Sequence, residues 1–255
     1  MGAGHVHPLH LERGSPVHRL APEVKIVATV LFTVAVVATP REVFWAFAGY
    51  AVILGVVAAI ASVPAGWLLK RSLIELPFVA LAVLLPFLAS GDQITWLGVT
   101  MSRDGLLGGW NILAKGTLGV LASLLLAATT TTRDLLAGLD RLRCPRIVTQ
   151  IAMFMLRYLD VLGDEARRMR IARLSRGDDP RFLWQLRGLA SGLGALFLRA
   201  FERGERVYLA MLSRGYTGRT PAALSADGAA TTGQWAAASV VPVAAVALAI
   251  AAVLA

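Results

Sequence analysis

The stretch Val43–Val63, VFWAFAGYAVILGVVAAIASV, runs through 21 residues without a charged side chain. An α-helix needs roughly 20 apolar residues to cross a hydrocarbon core. Four further runs lie along the chain: about Val24 to Thr39, about Leu73 to Ala89, one within Gly105 to Thr132 that is cleanest after Lys115, and Trp235 to Leu254. The first and third are short, and Pro77 and Pro86 interrupt the third, which a helical bundle absorbs by local adjustment. The expected fold class is all-α: a polytopic membrane helical bundle of about five spans.

Composition points the same way. The 255 residues are 56% hydrophobic and 16% charged, with a mean hydropathy of +0.65, against about 25% charged and 45–50% apolar in soluble domains. Disorder, a fibrous repeat and an ordinary soluble enzyme are excluded. The single Cys144 excludes an internal disulfide and disfavours a cysteine-based metal centre. The first apolar run begins late, lacks an A-x-A site and meets Pro40-Arg41, unlike a cleaved signal peptide.

A formal charge of +9 then needs a location, because a bilayer penalises charge. Arg133 to Arg219 holds 17 Arg and 9 acidic residues, hence +8 of that excess. Arg13, Arg19 and Lys25 precede or edge the first span, and Lys70 and Arg71 follow the second. The other short loops are nearly balanced, with Arg41/Glu42 and Asp92/Arg103/Asp104. The positive-inside rule puts the N-terminus, the Lys70–Arg71 loop and the basic segment in the cytoplasm, so that five spans leave the C-terminus outside. The expected organisation is a cytoplasmic N-terminal segment (1–23), spans one to four (24–132), a cytoplasmic helical region (133–219), a linker (220–234) and span five (235–255).

The basic segment keeps helical period. Arg133 to Leu142 is a short amphipathic stretch with Thr132 as its cap, stopping near Cys144-Pro145. From Arg146 to about Arg176, Ile147, Ile151, Phe154, Tyr158, Val161 and Glu165 recur at i, i+3/i+4, and Asp164 and Arg168 form an i, i+4 acid–base pair. A second stretch, Phe182 to Arg214, repeats the plan, apolar first and then charged. Both end in the same tripeptide, Ser175-Arg176-Gly177 and Ser213-Arg214-Gly215. Two equivalent prongs suit a partner with two equivalent sockets, although an Arg followed by Gly is also ordinary helix termination.

Four stretches carry a family resemblance: Ser15-Pro16-Val17-His18-Arg19-Leu20-Ala21-Pro22-Glu23-Val24-Lys25; Thr132 to Leu139 ending at Arg143-Cys144-Pro145; Arg157-Tyr158-Leu159 through Asp164-Glu165-Ala166-Arg167-Arg168-Met169-Arg170 to Arg173-Leu174-Ser175-Arg176-Gly177; and Met211 to Tyr216. Together the chain resembles the transmembrane T component of energy-coupling factor (ECF) transporters, of the CbiQ type associated with cobalt uptake. The resemblance implies a coupling subunit that joins a substrate-binding membrane subunit of the cobalt type to two cytoplasmic ABC-type ATPase subunits, with a small accessory membrane subunit as an optional partner. It implies two coupling helices ending in X-R-G, often A-R-G, each docking its Arg in an ATPase groove. That role falls on Arg176 and Arg214, with Ser175 and Ser213 at the X position and Gly177 and Gly215 turning the chain. Arg157, Tyr158, Asp164, Glu165, Arg168 and Arg173 are the supporting residues of the first long helix. The implied location is the bacterial cytoplasmic (inner) membrane.

Catalytic signatures are absent: there is no G-x-x-x-x-G-K-[ST], H-E-x-x-H, G-x-S-x-G or paired-carboxylate arrangement. The chain is therefore read as non-catalytic, with no cofactor of its own and with ATP and Mg on partner ATPase subunits. His5, His7 and His10 invite a metal reading, but no further ligand closes such a site, and no metal is expected. Lys115, Asn111 and Glu75 are read as snorkelling towards an interface. The small residues Gly188, Ala190, Ser191, Gly192, Gly194 and Ala195 permit either close static packing or sliding between helices. The arginines stand on helices with apolar faces and no aromatic platform, which disfavours nucleic acid; membrane lipid headgroups are the expected secondary partner. Three alternatives stay open: the same scaffold serving nickel or a vitamin, a membrane structural adaptor, and an independent carrier without ATPase partners.

Overall fold

The computed structural model describes residues 9–11, 13–89, 93–96, 99–177, 186–217 and 230–254. The described elements are α1 (Pro22–Ala38), α2 (Phe44–Ile60), α3 (Ala65–Ser72), α4 (Leu76–Leu88), β1 (Gln93–Trp96), β2 (Val99–Ser102), α5 (Arg103–Thr129), α6 (Thr132–Arg141), α7 (Arg146–Ser175), α8 (Leu186–Ser213) and α9 (Thr232–Leu254). They divide into two compact units, one containing α7 and α8 and the other containing the remaining elements.

In the larger unit, Ala65–Leu88, Arg103–Thr129 and Thr232–Leu254 are long and apolar enough to cross a membrane, and α2 is a shorter apolar helix. Its packing is that of a membrane protein. Small side chains sit inside, with Ala46, Ala61, Ala128 and Ala245 fully buried, while Val34, Val52, Phe78, Val83 and Val253 point outward. Outward apolar side chains on every span and small residues between the helices are what hydrocarbon solvent selects. The interior is closed by Phe32, Val36, Tyr50, Leu54, Leu118, Ala122 and Leu125. Tyr50 is the largest fully buried side chain among the described residues; its hydroxyl lies 2.8 Å from Thr39 Oγ1, and the pair faces the carbonyls of Ala245 (3.3 Å from Tyr50) and Ala35 (2.9 Å from Thr39).

Three boundaries differ from the sequence expectation. Lys70 and Arg71 stand on a helix, α3, because only residues 61–64 separate it from α2; Arg71 stacks over Trp67 at 4.3 Å. Pro77 lies in the first turn of α4 behind a 3₁₀ turn at Leu73–Glu75, where its missing N–H costs nothing, so of the two prolines only Pro86 is interior to α4. Residues 93–96 and 99–102, read as loop, form two antiparallel strands pairing Gln93 with Ser102 and Trp96 with Val99, as their β-branched and aromatic content favours. This pair returns the chain so that α5 packs closely on α4. A Cβ at Gly105 would lie 2.7 Å from the Leu85 carbonyl oxygen and one at Gly109 2.5 Å from that of Ala82, so this i, i+4 glycine pair sets the approach.

Lys25 and Lys115 are each tied to the end of a neighbouring helix. Lys25, at the start of α1, donates to the Thr129 carbonyl at the end of α5 (2.8 Å), and Lys115 of α5 donates to the Val37 carbonyl in the last turn of α1 (2.8 Å). Each cation thus satisfies an orphan carbonyl at the negative end of the other helix. Glu75 is likewise buried, with its Oε1 3.2 Å from where a Cβ at Gly116 would stand. Asn111 has a buried Oδ1 without a partner among the described residues.

The lead-in to α1 folds around His18. Its Nε2 lies 3.0 Å from the Leu11 carbonyl, which can only accept, so Nε2 carries the proton and Nδ1 accepts from the Ser15 hydroxyl at 2.7 Å. Burial, with smaller contributions from Lys25 and His10, pushes the imidazole pKa below its ordinary 6.5. The unfolded chain therefore protonates first. This stabilising contribution is complete above about pH 6.5 and is lost as the pH falls from there towards the folded-state value. Thermal-unfolding midpoints measured from about pH 7.5 to 5.5 should fall more steeply for wild type than for His18→Gln.

Candidate functional site

In the smaller unit α7 and α8 form an antiparallel pair. Tyr216 beyond α8 donates to Gln150 near the start of α7 (3.4 Å), Arg199 pairs with Glu165 halfway along, and Gly192 approaches Met169 further on. The facing stripe on α7 is Phe154, Tyr158, Val161, Glu165, Met169 and Arg173, at i, i+3/i+4 spacing. Ile147 and Ile151, expected on that face, are 68% and 54% exposed. In that first turn Thr149 is the buried residue and Gln150 the one that meets Tyr216.

The electrostatic pairing also differs from the sequence reading. Arg168 bonds Glu165 at i, i+3 (2.8 Å) rather than Asp164, which is exposed. Glu165 alone faces α8, where Arg199 reaches it, and hydrogen bonds from the two guanidinium groups hold its carboxyl below the usual carboxylate range. Arg157 is exposed, Tyr158 is half-buried, and Arg173 is half-buried and engaged. Of the small residues, Gly192 and Ala195 lie on the facing side of α8, whereas a Cβ on Gly194 would meet nothing within 4 Å.

The two Ser-Arg-Gly tripeptides share one geometry. Ser175 Oγ donates to the Ala172 carbonyl (2.9 Å) and Ser213 Oγ to the Ala210 carbonyl (3.0 Å). The N–H groups of Gly177 and Gly215 each return 3.0 Å to the carbonyl three residues back, and Tyr216 N–H closes on Met211 at 3.0 Å, a Schellman cap. Gly177 and Gly215 take φ of +78° and +81°, the left-handed conformation that any other L-residue resists. Arg176 and Arg214 therefore occupy equivalent C-cap positions, and both are exposed. Because the helices are antiparallel, these tips stand at opposite ends of the pair, roughly 40 Å apart at 1.5 Å rise per residue over the 26 residues from Gln150, which meets Tyr216, to Arg176. The part of the second helix expected to begin at Phe182 is described from Leu186 onward, residues 178–185 lying outside the described residues.

A second constellation was not anticipated. Glu23, in the first turn of α1, accepts from Arg141 near the end of α6 (3.0 Å) and from the Ala230 N–H just before α9 (2.8 Å). One buried carboxylate thus joins the points at which the chain leaves the larger unit and returns to it. α6 is capped by Thr131, whose Oγ1 accepts from Asp134 N–H, rather than by Thr132. It approaches α1 so closely that a Cβ at Gly138 would lie 2.9 Å from the Glu23 nitrogen. Arg143, the next residue but one after α6, has φ +63°, a strained turn into Pro145 and α7. The hint in the sequence was a glutamate inside an otherwise apolar span start, Pro22-Glu23-Val24.

His5 and His7 lie outside the described residues. His10 stacks edge-on at 6.0 Å from His18, whose two ring nitrogens are already engaged. Among the described residues no group of three or more His, Cys, Asp or Glu is arranged to hold a metal ion.

Comparison with known proteins agrees with this architecture. The sequence profile of a family described as "Cobalt transport protein" (CbiQ) matches residues 13–223. The chain is 31% identical over 223 residues to the energy-coupling factor transporter transmembrane protein EcfT of Bacillus selenitireducens, covering 80% of this chain and 81% of that protein. It is 32% identical over 219 residues to the protein of the same name from Thermanaerovibrio acidaminovorans, covering 80% of each. The cobalt transport protein CbiQ of Rhodobacter capsulatus is 32% identical over 153 residues, 57% of this chain and 62% of that protein. With its membrane-embedded helical bundle and its paired helix tips, the chain belongs to the CbiQ family of energy-coupling factor transporter transmembrane components.

Proposed function

We propose that the chain is the coupling subunit of an ATP-driven cobalt importer, carrying the motion of two cytoplasmic ABC-type ATPase subunits to a substrate-binding membrane subunit. The observation that supports this most directly is the pair of equivalent, exposed C-cap arginines, Arg176 and Arg214, at opposite ends of α7 and α8. A guanidinium offers a planar fork of donors and never loses its charge, so it suits a carboxylate in a desolvated groove. Ser175 and Ser213 tie back the carbonyls beneath it, and Gly177 and Gly215 turn the chain away from it. Glu165, held by Arg168 and Arg199, ties α7 to α8, while Arg157, Tyr158, Asp164 and Arg173 line α7 as its supporting residues. The chain acts without catalysis and without a bound cofactor or metal; ATP and Mg belong to the ATPases.

In this reading the protein lies in a bacterial inner membrane, with its N-terminus and residues 133–219 cytoplasmic, residues 220–234 as a linker, five spans and its C-terminus outside. A second reading, the same scaffold coupling nickel or vitamin uptake, draws support from the EcfT relatives, whose shared name specifies no substrate. Radiocobalt uptake into proteoliposomes, measured with each co-purified partner omitted in turn, separates these readings. Uptake that needs ATP, the ATPases and a cobalt-binding subunit is expected. Nickel or vitamin uptake without cobalt uptake would favour the second reading, and co-purification without any ATPase would overturn both.

A further inference from the structure

A cavity of about 290 Å³ opens between α1, α2, α5 and α9 beneath the lead-in segment, lined among others by Pro16, Ala28, Phe32, Leu54, Leu125 and Ala238. Its polar lining is Lys25, Thr29 and Thr129, and all three are already engaged: Lys25 with the Thr129 carbonyl, Thr29 with the Lys25 carbonyl and Thr129 with the Leu125 carbonyl. Lys25 keeps two further N–H donors at the lead-in end, but every lining residue other than these three is apolar, so the natural filling of the deeper space is hydrocarbon. The lead-in side carries positive charge. Arg19 stands exposed between the lining residues Val17 and Leu20, and Arg13 is held on the Ser62 carbonyl, two residues beyond the lining Ile60. The nearby Glu23 is buried and neutralised by Arg141.

We infer that this cavity retains one anionic phospholipid, with an acyl chain inserted among the four helices and its phosphate held by Arg19 and Arg13. Bulk lipid would wet the outward faces of the spans without preference for headgroup. The retained lipid instead combines a dry slot with a cationic rim, and such rims attract anionic headgroups.

The test uses the full chain in phosphatidylcholine nanodiscs doped with a phosphatidylglycerol bearing a photoactivatable diazirine on one acyl chain, with adducts located by mass spectrometry. Adducts are expected to concentrate on cavity residues of α1, α2, α5 and α9 and to be displaced severalfold better by unlabelled phosphatidylglycerol than by phosphatidylcholine. Ala28→Phe, which fills the slot, should lower them severalfold, as should Ala237→Leu at its outer lip. Val240→Phe, on the exposed face of α9, should leave them unchanged. Arg13→Gln with Arg19→Gln should abolish the headgroup preference. Adducts spread evenly over the outward faces, equal displacement by phosphatidylcholine, or displacement by inorganic phosphate alone would each overturn the assignment. The wild-type displacement series decides the matter even where a filling variant fails to fold.

Discussion

Replacing both Arg176 and Arg214 by Ala should abolish ATP-driven uptake while leaving the protein in the membrane at its normal level. Both side chains are exposed, and neither forms an ion pair among the described residues, so their loss costs the fold little. In a desolvated groove the same truncation leaves a partner carboxylate unpaired, at roughly 2–5 kcal/mol for each contact. At about 1.4 kcal/mol per tenfold, one substitution weakens the ATPase contact by a factor of tens to thousands, and two remove it. Each single variant should retain partial coupling through the intact tip. Lysine should rescue poorly at either position, because it restores the charge without the planar fork. Uptake, ATPase co-purification and membrane abundance measured together check this. Wild-type uptake by the double variant would overturn the docking role.

The second large effect is expected at the joint. Arg141→Ala leaves the Glu23 carboxylate, 5% exposed, with backbone N–H groups, those of Ala230 and of Glu23 itself, in place of a cation. Breaking a buried ion pair from one side costs roughly 3–5 kcal/mol, which in a domain of this size lowers the melting temperature by about 10 °C. Glu23→Gln should be milder, since an amide oxygen still accepts from Ala230, and the charge left without its counter-ion is that of the more exposed partner, Arg141 at 15%. Thermal unfolding of the purified protein in detergent compares the two. An unchanged midpoint for Arg141→Ala would remove the structural weight given to this contact.

The contrast between tips and joint explains what the sequence made legible. Ser-Arg-Gly could be read directly because a helix C-cap is a local object: the glycine's positive φ and the returning N–H groups involve a handful of consecutive residues. The three helices long enough to cross a membrane, Ala65–Leu88, Arg103–Thr129 and Thr232–Leu254, were legible because length and apolarity are averages over a window. Glu23 was not, because its partners lie 118 and 207 residues away and each is an ordinary Arg or a backbone N–H. The same holds for the exchange of lysines between α1 and α5, where only the tertiary arrangement shows that each cation reaches the other helix's last carbonyls. It also holds for Gly105 and Gly109, whose i, i+4 spacing acquires meaning only once α4 lies against them. Within α7 the period was right, yet the choice of Asp164 over Glu165 as the partner of Arg168 depended on where α8 would pass.

The antiparallel run of α7 and α8 also fixes a length. The separation of the two arginines follows from a count of helical residues, not from a surface that could be remoulded, so the pair behaves as a gauge bar. Were the two arginines seated as proposed, sockets drawing together could not shorten it. A rigid bar whose projected span contracts by about a tenth must tilt by about 25°, so a small approach at its ends emerges as a large rotation.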